Sequence, residues 1–359
     1  MVHTGQDVSM DFTEDDIARY SLIHQHPLAR EWLRFQIIRL SANTVRAYGN
    51  ALEDFLLFCA NLGIDPIKAG RDHILLYIRD LSERPVPSGY KKRRVQGTTG
   101  YALSSQKQRL TAIRLFFDFL VEENVRDTNP VGRGRYVQGS SARGKRGLIP
   151  TVSHLPWIPT DDEWRHLLDI ASGKSIRTRF MLALGYDTAL RREELCSLQI
   201  RDIDPAFRTI HVRAETTKGK RGRVVIYSPV TDDLFHRYLA HRRTISREDG
   251  ALFLSESPRN YGQALSFETW GKEVRKLRDL AGIPNFTPHT LRHLCLTDLA
   301  RSGWDLHEIA TFAGHRSIQS TLVYIHLSGR DIASKLQKGM DEIHAWRTRE
   351  MIGRFNHGY

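Results

Sequence analysis

Apolar residues recur at intervals of three and four along several stretches of the chain, the spacing that lines one face of an α-helix. Val45, Tyr48, Leu52, Phe55 and Cys59 form the first sustained stripe, opened at Ser41 and closed by Gly63. Upstream, residues 1 to about 30 carry little pattern beyond a short helix near Asp15 to Tyr20. His73 to Leu81 predicts a second helix, stopped by Pro85 and Pro87. Leu110, Ile113, Phe117 and Leu120 predict a third, whose opposite face carries Lys107, Arg109 and Arg114. From Val131 to Pro159 the periodicity dissolves into glycine, proline, serine and basic residues, the composition of a linker. A helix resumes at Thr160, an N-cap followed by acidic residues. Thr209 to Arg213 and Arg223 to Tyr227 are β-branched runs with alternating sides; the intervening AETTKGKRG predicts a hairpin with a mobile cationic tip. Asp232 to Arg243 and Glu268 to Gly282 predict two further helices, and Thr287-Pro288 opens another. The expected fold is mainly α with a small antiparallel β-sheet (α+β), divided into a helical domain (1–130), a basic linker (131–159), a second domain (160–330) and a tail (331–359). In the tail, Ile332, Leu336, Met340 and Ile343 repeat the helical stripe with little domain left to cover.

Composition narrows the partner. The 359 residues carry a formal net charge of +12, which suggests a polyanion. Four consecutive cations, Lys91, Lys92, Arg93 and Arg94, lie in a long loop between 82 and 104, and Arg133, Arg135, Arg143, Lys145 and Arg146 crowd the linker. With Lys107, Arg109 and Arg114 these are the candidate contacts to such a polyanion, sequence-independent and salt-sensitive if it is a nucleic-acid backbone. No apolar run approaches the roughly 18 residues of a membrane span, and the polar, acidic start MVHTGQDVSMDFTEDD does not read as a signal peptide. The expected location is cytoplasmic. Cys59, Cys196 and Cys295 are scattered through apolar helical patterns and read as buried small hydrophobes, not a disulfide or zinc framework. Gly173-Lys174-Ser175 resembles the end of a P-loop, but that motif needs a glycine at 168, where the chain has Leu168 on a helical segment. ATP binding is therefore discarded. Asp202-Ile203-Asp204 reads as a strand-entry turn and not as a metal cluster.

The stretch Thr287 to His326 concentrates the chemistry. His289, Arg292 and His293 fall at the start of a helix, beside free backbone N–H groups and the positive end of its dipole. A guanidinium grips phosphate bidentately and stays charged, whereas an imidazole moves protons near neutral pH. Alone, this is a phosphate-handling face.

The ordered set His289, Arg292, Gly314-His315 and Tyr324, the last nine residues after His315, resembles the C-terminal signature of the tyrosine recombinase (phage-type integrase) family. Leu190-Arg191-x-x-Glu194-Leu195 resembles that family's first arginine box, with register favouring Arg191 over Arg192. The family's usual glycine is Ala189 here, and alanine at that point demands an unstrained backbone. The Ser41-x-x-Thr44-x-x-x-Tyr48 opening and the run RLTAIRLFFDFLVEENVRDTNP resemble the amino-terminal core-binding domain. The resemblance implies a two-domain DNA clamp, a helical bundle followed by a catalytic domain. It implies a site of Arg191, Lys218, His289, Arg292, His315 and Tyr324, with Lys220 as second choice for the hairpin lysine and Glu194 orienting a guanidinium.

On that reading Arg191 and Arg292 clamp the non-bridging oxygens of one phosphate and His315 donates a further hydrogen bond. His289 serves as general base or relay for the Tyr324 hydroxyl, and Lys218 protonates the departing 5′-hydroxyl. The 3′-phosphotyrosyl product stores the phosphodiester energy, so no ATP, metal or other cofactor is expected. Expected partners are duplex recombination sites, a homotetramer on DNA with 331 to about 347 docked on a neighbouring protomer, and accessory bending or directionality proteins. Two excess basic segments, the 82–104 loop and the linker, point toward integration or transposition of a mobile element. The alternatives are a replicon-dimer resolvase, a type IB topoisomerase and a non-catalytic DNA clamp.

Overall fold

The structure, a computed structural model, describes residues 12–86, 100–132, 148–149, 155–217, 219–327 and 329. The loop cations Lys91, Lys92, Arg93 and Arg94, the linker cations Arg133, Arg135, Arg143, Lys145 and Arg146, the hairpin Lys218 and the tail from 331 lie outside them. The chain divides into two compact units, Met1–Ser153 and His154–Tyr359.

The first unit is helical: α1 (Ser21–Gln25), α2 (Pro27–Arg39), α3 (Ala42–Asn61), α4 (Arg71–Glu83) and α5 (Leu103–Glu122), preceded by a 3-10 turn over Glu14–Arg19. Helices α3 and α5 pack side by side, burying the expected stripes Val45, Leu52, Phe55, Cys59 and Leu110, Ile113, Phe117, Leu120. Tyr48 is half-buried and stacks on Trp32 at 6.2 Å. Helices α1 and α2 were not expected. Their local pattern is weak because the N-terminus of α1 is held by a distant group: the Glu53 carboxylate on α3 accepts from the Leu22 and Ile23 N–H groups, each at 2.9 Å. In α2 the buried Ala29, Trp32 and Leu33 share their face with the polar Gln36. Gly100 cannot be replaced. Its φ is +81°, and a Cβ there would sit 1.8 Å from the Ser82 carbonyl oxygen.

Arg109 departs from its expected role as a DNA contact. Its guanidinium lies 3.0 Å from the Asp54 carboxylate and over the Tyr101 ring, with the side chain 11% exposed. The same carboxylate accepts from Tyr77 at 2.6 Å and pairs with Arg84. Arg109 is thus part of a buried polar cluster that ties α3, α4 and α5 together. Lys107 and Arg114 are half-buried on the same helix.

The second unit holds α6 (Asp161–Ser172), α7 (Ile176–Asp187), α8 (Arg192–Cys196), β1 (Ile203–Asp204), β2 (Thr209–Val212), β3 (Arg223–Ile226), α9 (Pro229–Ile245), α10 (Phe267–Ala281), α11 (Pro288–Arg301), α12 (Leu306–Ala313) and α13 (Leu322–Leu327). Thr160 caps α6 as expected, accepting from Glu163 N–H at 3.2 Å while Glu163 accepts from Thr160 N–H at 2.8 Å. The predicted hairpin is present, with Ile210 opposite Val225 and His211 opposite Val224. A third strand joins it: β1 pairs antiparallel with β2, so the 202–204 segment is a 3-10 turn leading into a strand. Helix α7 packs between α9 and α11, and Phe180, Met181, Leu184 and Leu291 fill the space. All three cysteines are buried free thiols, each pushed up to about 12 chiefly by burial.

Candidate active site

The turn joining α7 to α8 builds the first corner of the site. Ala189 there adopts φ +49°, so the expectation of an unstrained backbone at this position is corrected. A left-handed conformation costs alanine ~1–2 kcal/mol. Two contacts offset it: the Ala189 carbonyl accepts from Arg292 Nη1 at 2.6 Å, and its side chain is buried against Cys295, Leu296 and Ile309. Arg191 follows as the N-cap residue of α8 and keeps 26% of its side chain exposed. Its neighbour Arg192 turns away, its guanidinium over the Phe267 ring at 4.6 Å and 3.3 Å from Glu193.

Glu194 is the anchor of this corner and is 1% exposed. Its carboxylate accepts from the Arg191 backbone N–H at 3.0 Å and side chain at 2.7 Å. It also accepts from Arg223 on β3, at 2.7 and 3.3 Å. Burial pushes the carboxyl up, but the hydrogen bonds and charge of Arg223, then Arg191, outweigh it and hold it at about 2. Glu194 is therefore ionised throughout the physiological range. Arg223 went unnoticed in the sequence, because an arginine in a β-branched run reads as a strand's polar side. In the fold it points inward, donating also to the Phe312 carbonyl at 2.9 Å.

Helix α11 supplies the second corner. Arg292 is 1% exposed and bridges two turns, donating to the carbonyls of Ala189 and Ala313 at 2.6 Å each. Burial first, then the charge of Arg191, lowers its pKa to about 10, which still leaves it charged at neutral pH. One turn before it, His289 stands at the rim, exposed on one side. The protein packed on its other side, then Arg292 and Arg191, lowers its pKa. Its ring meets His293 edge-on at 4.3 Å.

Helix α12 and the segment after it complete the arrangement. Gly314 ends α12 with φ +63°, the left-handed turn expected of a glycine cap. Its carbonyl accepts from Arg191 at 3.3 Å. His315 comes next, with Nδ1 2.8 Å from the Thr321 hydroxyl. Burial and then Arg292, Arg191 and Arg223 lower its pKa to about 4, so the ring is neutral at pH 7. In the tautomer whose Nδ1 accepts from Thr321, the hydrogen of this neutral ring resides on Nε2 and can be donated. Thr321, fully buried, has no motif to announce it. Tyr324 on α13 lies buried in the same cluster as Ala189 and Cys295, its ring parallel to His315 at 6.1 Å. Burial raises its pKa, while Arg292 draws it down by charge and as a hydrogen-bond donor.

The sequence predicts His289 as general base or relay for Tyr324; the ring nitrogen beside the hydroxyl is His293 Nδ1, at 3.0 Å. Arg191, Glu194, Arg292, His315 and Tyr324 come together, with His289 beside them; Lys220 is exposed at the hairpin tip with φ +53°. Three guanidiniums (Arg191, Arg223, Arg292) against one carboxylate (Glu194) leave a formal charge of +2. That excess, with neutral imidazole and phenol groups beside it, suits an anion such as a phosphodiester. Among the described residues no group of His, Cys, Asp and Glu could hold a metal ion.

Gly314 offers a test of how tightly this corner is built. A Cβ there would lie 3.0 Å from Arg223 Nη1 and 3.1 Å from its Cδ. Gly314→Ala combines that crowding with left-handed strain of ~1–2 kcal/mol. Thermal unfolding is expected to shift down by about 2–8 °C for a unit of this size. An unchanged midpoint would mean that the turn is not held as seen.

The phage integrase family model matches residues 159–330. Over 294 residues the chain is 31% identical to the tyrosine recombinase XerC of Thermodesulfovibrio yellowstonii, covering 80% of this chain and 86% of that one. Its fold is similar to that of the XerH site-specific recombinase bound to palindromic difH substrate in a post-cleavage complex, with TM-score 0.63, 17% identity and coverage of 92% of this chain and 91% of that one. It is also similar to the Tn1549 transposon integrase in complex with transposon right end DNA, with TM-score 0.58, 17% identity and coverage of 91% and 100%.

Proposed function

Because the chain belongs to the phage integrase family of tyrosine recombinases, whose members cut and rejoin DNA through a phosphotyrosyl intermediate, we propose that it is a site-specific recombinase with Tyr324 as its nucleophile. One observation carries the residue assignment: buried Tyr324 is hydrogen-bonded by Arg292 and stacks on His315, with Arg191 held beside them through Gly314. Arg191 and Arg292 take the non-bridging oxygens of the scissile phosphate, and His315 Nε2 adds a donor as charge develops on phosphorus. Glu194 fixes Arg191 from behind. His289, at the rim, faces the phosphate and relays protons. Lys218 protonates the 5′-oxygen as it leaves, and Lys220 is the second choice for that role. The catalytic work resides in residues 160–330, while the basic residues of the loop and the linker, with Lys107 and Arg114 of α5, follow phosphates outside the cleavage point. A tetramer on paired sites performs the exchange.

For the biological task we favour integration or transposition of a mobile element, supported by the excess basic charge in the 82–104 loop and the linker. Resolution of replicon dimers is the second reading, favoured by the likeness to a XerC recombinase. Nicked duplexes drawn from the flanks of the chain's own gene decide between them. A nick next to the cleavage point lets the short 5′ fragment diffuse away and traps the adduct. The expected result is a covalent complex whose DNA-linked peptide contains Tyr324, on sequences at the ends of the gene's own segment, and a tetramer when two sites are joined. Capture only on a single replicon site, far from those flanks, would favour dimer resolution.

A further inference from the structure

His293 is not one of the residues assigned to catalysis above, yet its ring is the one in contact with the atom that must lose a proton. Its Nδ1 lies 3.0 Å from the Tyr324 hydroxyl. Arg292, the phenol's other polar neighbour, is a donor only. The phenol oxygen accepts from the arginine, and in the tautomer that carries the His293 hydrogen on Nε2 it gives its own hydrogen to His293 Nδ1. The rings hold this geometry. His293 packs at 5.7 Å from Tyr324 on one side and at 4.3 Å from His289 on the other, all from α11 and α13.

We infer that His293 is a catalytic residue, the group that takes the proton from Tyr324 during cleavage and returns it during rejoining. The inference rests on Tyr324 being the nucleophile. In the cleavage step the Oη–H bond breaks and its proton passes to His293 Nδ1, while the Oη electron pair forms the bond to phosphorus. The bond from phosphorus to the 5′-oxygen breaks, and that oxygen keeps the electron pair and takes a proton from the hairpin lysine. Rejoining reverses each transfer: the 5′-hydroxyl attacks, the phenolate leaves, and His293 restores its proton. The same groups that face His293 set its readiness. Burial, His289, Arg292 and His315 lower its pKa to about 3, so the ring is neutral at every physiological pH, with its Nδ1 lone pair unprotonated but weakly basic until those charges are offset. A phosphate anion bound between the arginines cancels part of their charge and raises the ring's affinity for the proton as the substrate arrives.

The test uses the full chain and a nicked duplex on which the unsubstituted protein forms its covalent complex. His293→Asn keeps an acceptor oxygen near the Nδ1 position but cannot carry the proton away. Its rate of covalent capture is expected to fall by about 100-fold or more, with DNA binding unchanged. Fluorotyrosine at 324, whose phenol is more acidic, is expected to restore much of that rate, and free imidazole is expected to do the same for His293→Ala. A hydrogen bond that merely orients the ring predicts neither rescue. Wild-type rates in His293→Asn, or a slow variant that neither rescue accelerates, would overturn the proton role. Should both variants lose DNA binding, fluorotyrosine in the unsubstituted chain decides. A rate nearly independent of phenol acidity supports His293, and a rate that climbs with acidity overturns it. Tyr324→Phe separates the two levels: if that variant still captures DNA covalently, the nucleophile assignment itself has failed; if it does not, while His293→Asn cleaves normally, only the role of His293 has.

Discussion

Tyr324→Phe is expected to form no covalent complex with nicked DNA, while binding the same duplex within about twofold of the unsubstituted protein. The loss is complete because the substitution removes the attacking oxygen, the hydroxyl that meets the His293 ring at Nδ1. Binding is expected to survive because the groups proposed to meet the phosphate have partners elsewhere. Arg292 hangs from the Ala189 and Ala313 carbonyls, Arg191 from Glu194, and His315 from Thr321. The phenyl ring still fills the space lined by Ala189, Cys295 and Ile309. The phenol's hydrogen bonds to His293 Nδ1 and to Arg292 are lost, at a cost of ~1 kcal/mol each, while Arg292 keeps both of its carbonyl partners. Gel shift and denaturing electrophoresis on one labelled duplex give both numbers. Retained covalent capture would move the nucleophile to another residue, and a binding-only clamp would show no adduct in either protein.

How much of the fold is legible in the sequence depends on how local each signal is. Stripes such as Leu110, Ile113, Phe117 and Leu120 repeat at the pitch of their own helix, so α3, α5, α9 and α10 could be placed before any fold was known. Helix α1 could not, because its cap is Glu53 on another helix. The same distinction separates the residues of the site. Arg191, Arg292, His315 and Tyr324 carry an ordered spacing that survives in one dimension. Arg223 and His293 matter through what they touch, Glu194 29 residues away and Tyr324 31 residues away, and Thr321 through His315; the position of His293 beside Arg292 marks it as near the site but not as the partner of Tyr324. Ala189 shows the limit in the other direction. Its identity argued against a left-handed turn, and a buried guanidinium bonded to its carbonyl overrode that preference. Arg109 looked like a surface cation because the Asp54 carboxylate that draws it inward belongs to a different helix.

The largest effect on stability is expected at Glu194. Its carboxyl is held at about 2 against an ordinary 4.5, so the folded-state pKa is depressed. A depressed carboxyl contributes stability that is fully present above 4.5 and is lost as pH falls through about 2. A shift of that size corresponds to ~3 kcal/mol at neutral pH. Glu194→Gln also leaves Arg223, 7% exposed, without its anion, and breaking one side of a buried ion pair costs ~3–5 kcal/mol. At pH 7 the unfolding midpoint is therefore expected to fall by about 6–20 °C. Covalent capture should slow as well, since the Arg191 guanidinium loses its 2.7 Å anchor and spends less time on the phosphate. Two further measurements distinguish this account from simple disruption of packing. First, the stability gap between the proteins should shrink as pH drops through the range from 4.5 to about 2, because only the unsubstituted chain has that carboxylate to lose. Second, adding Arg223→Met to Glu194→Gln should cost less than the two substitutions sum to separately, because the unpaired cation goes with it. A gap that stays constant on acidification, or strictly additive losses, would mean that Glu194 acts through its shape and not its charge.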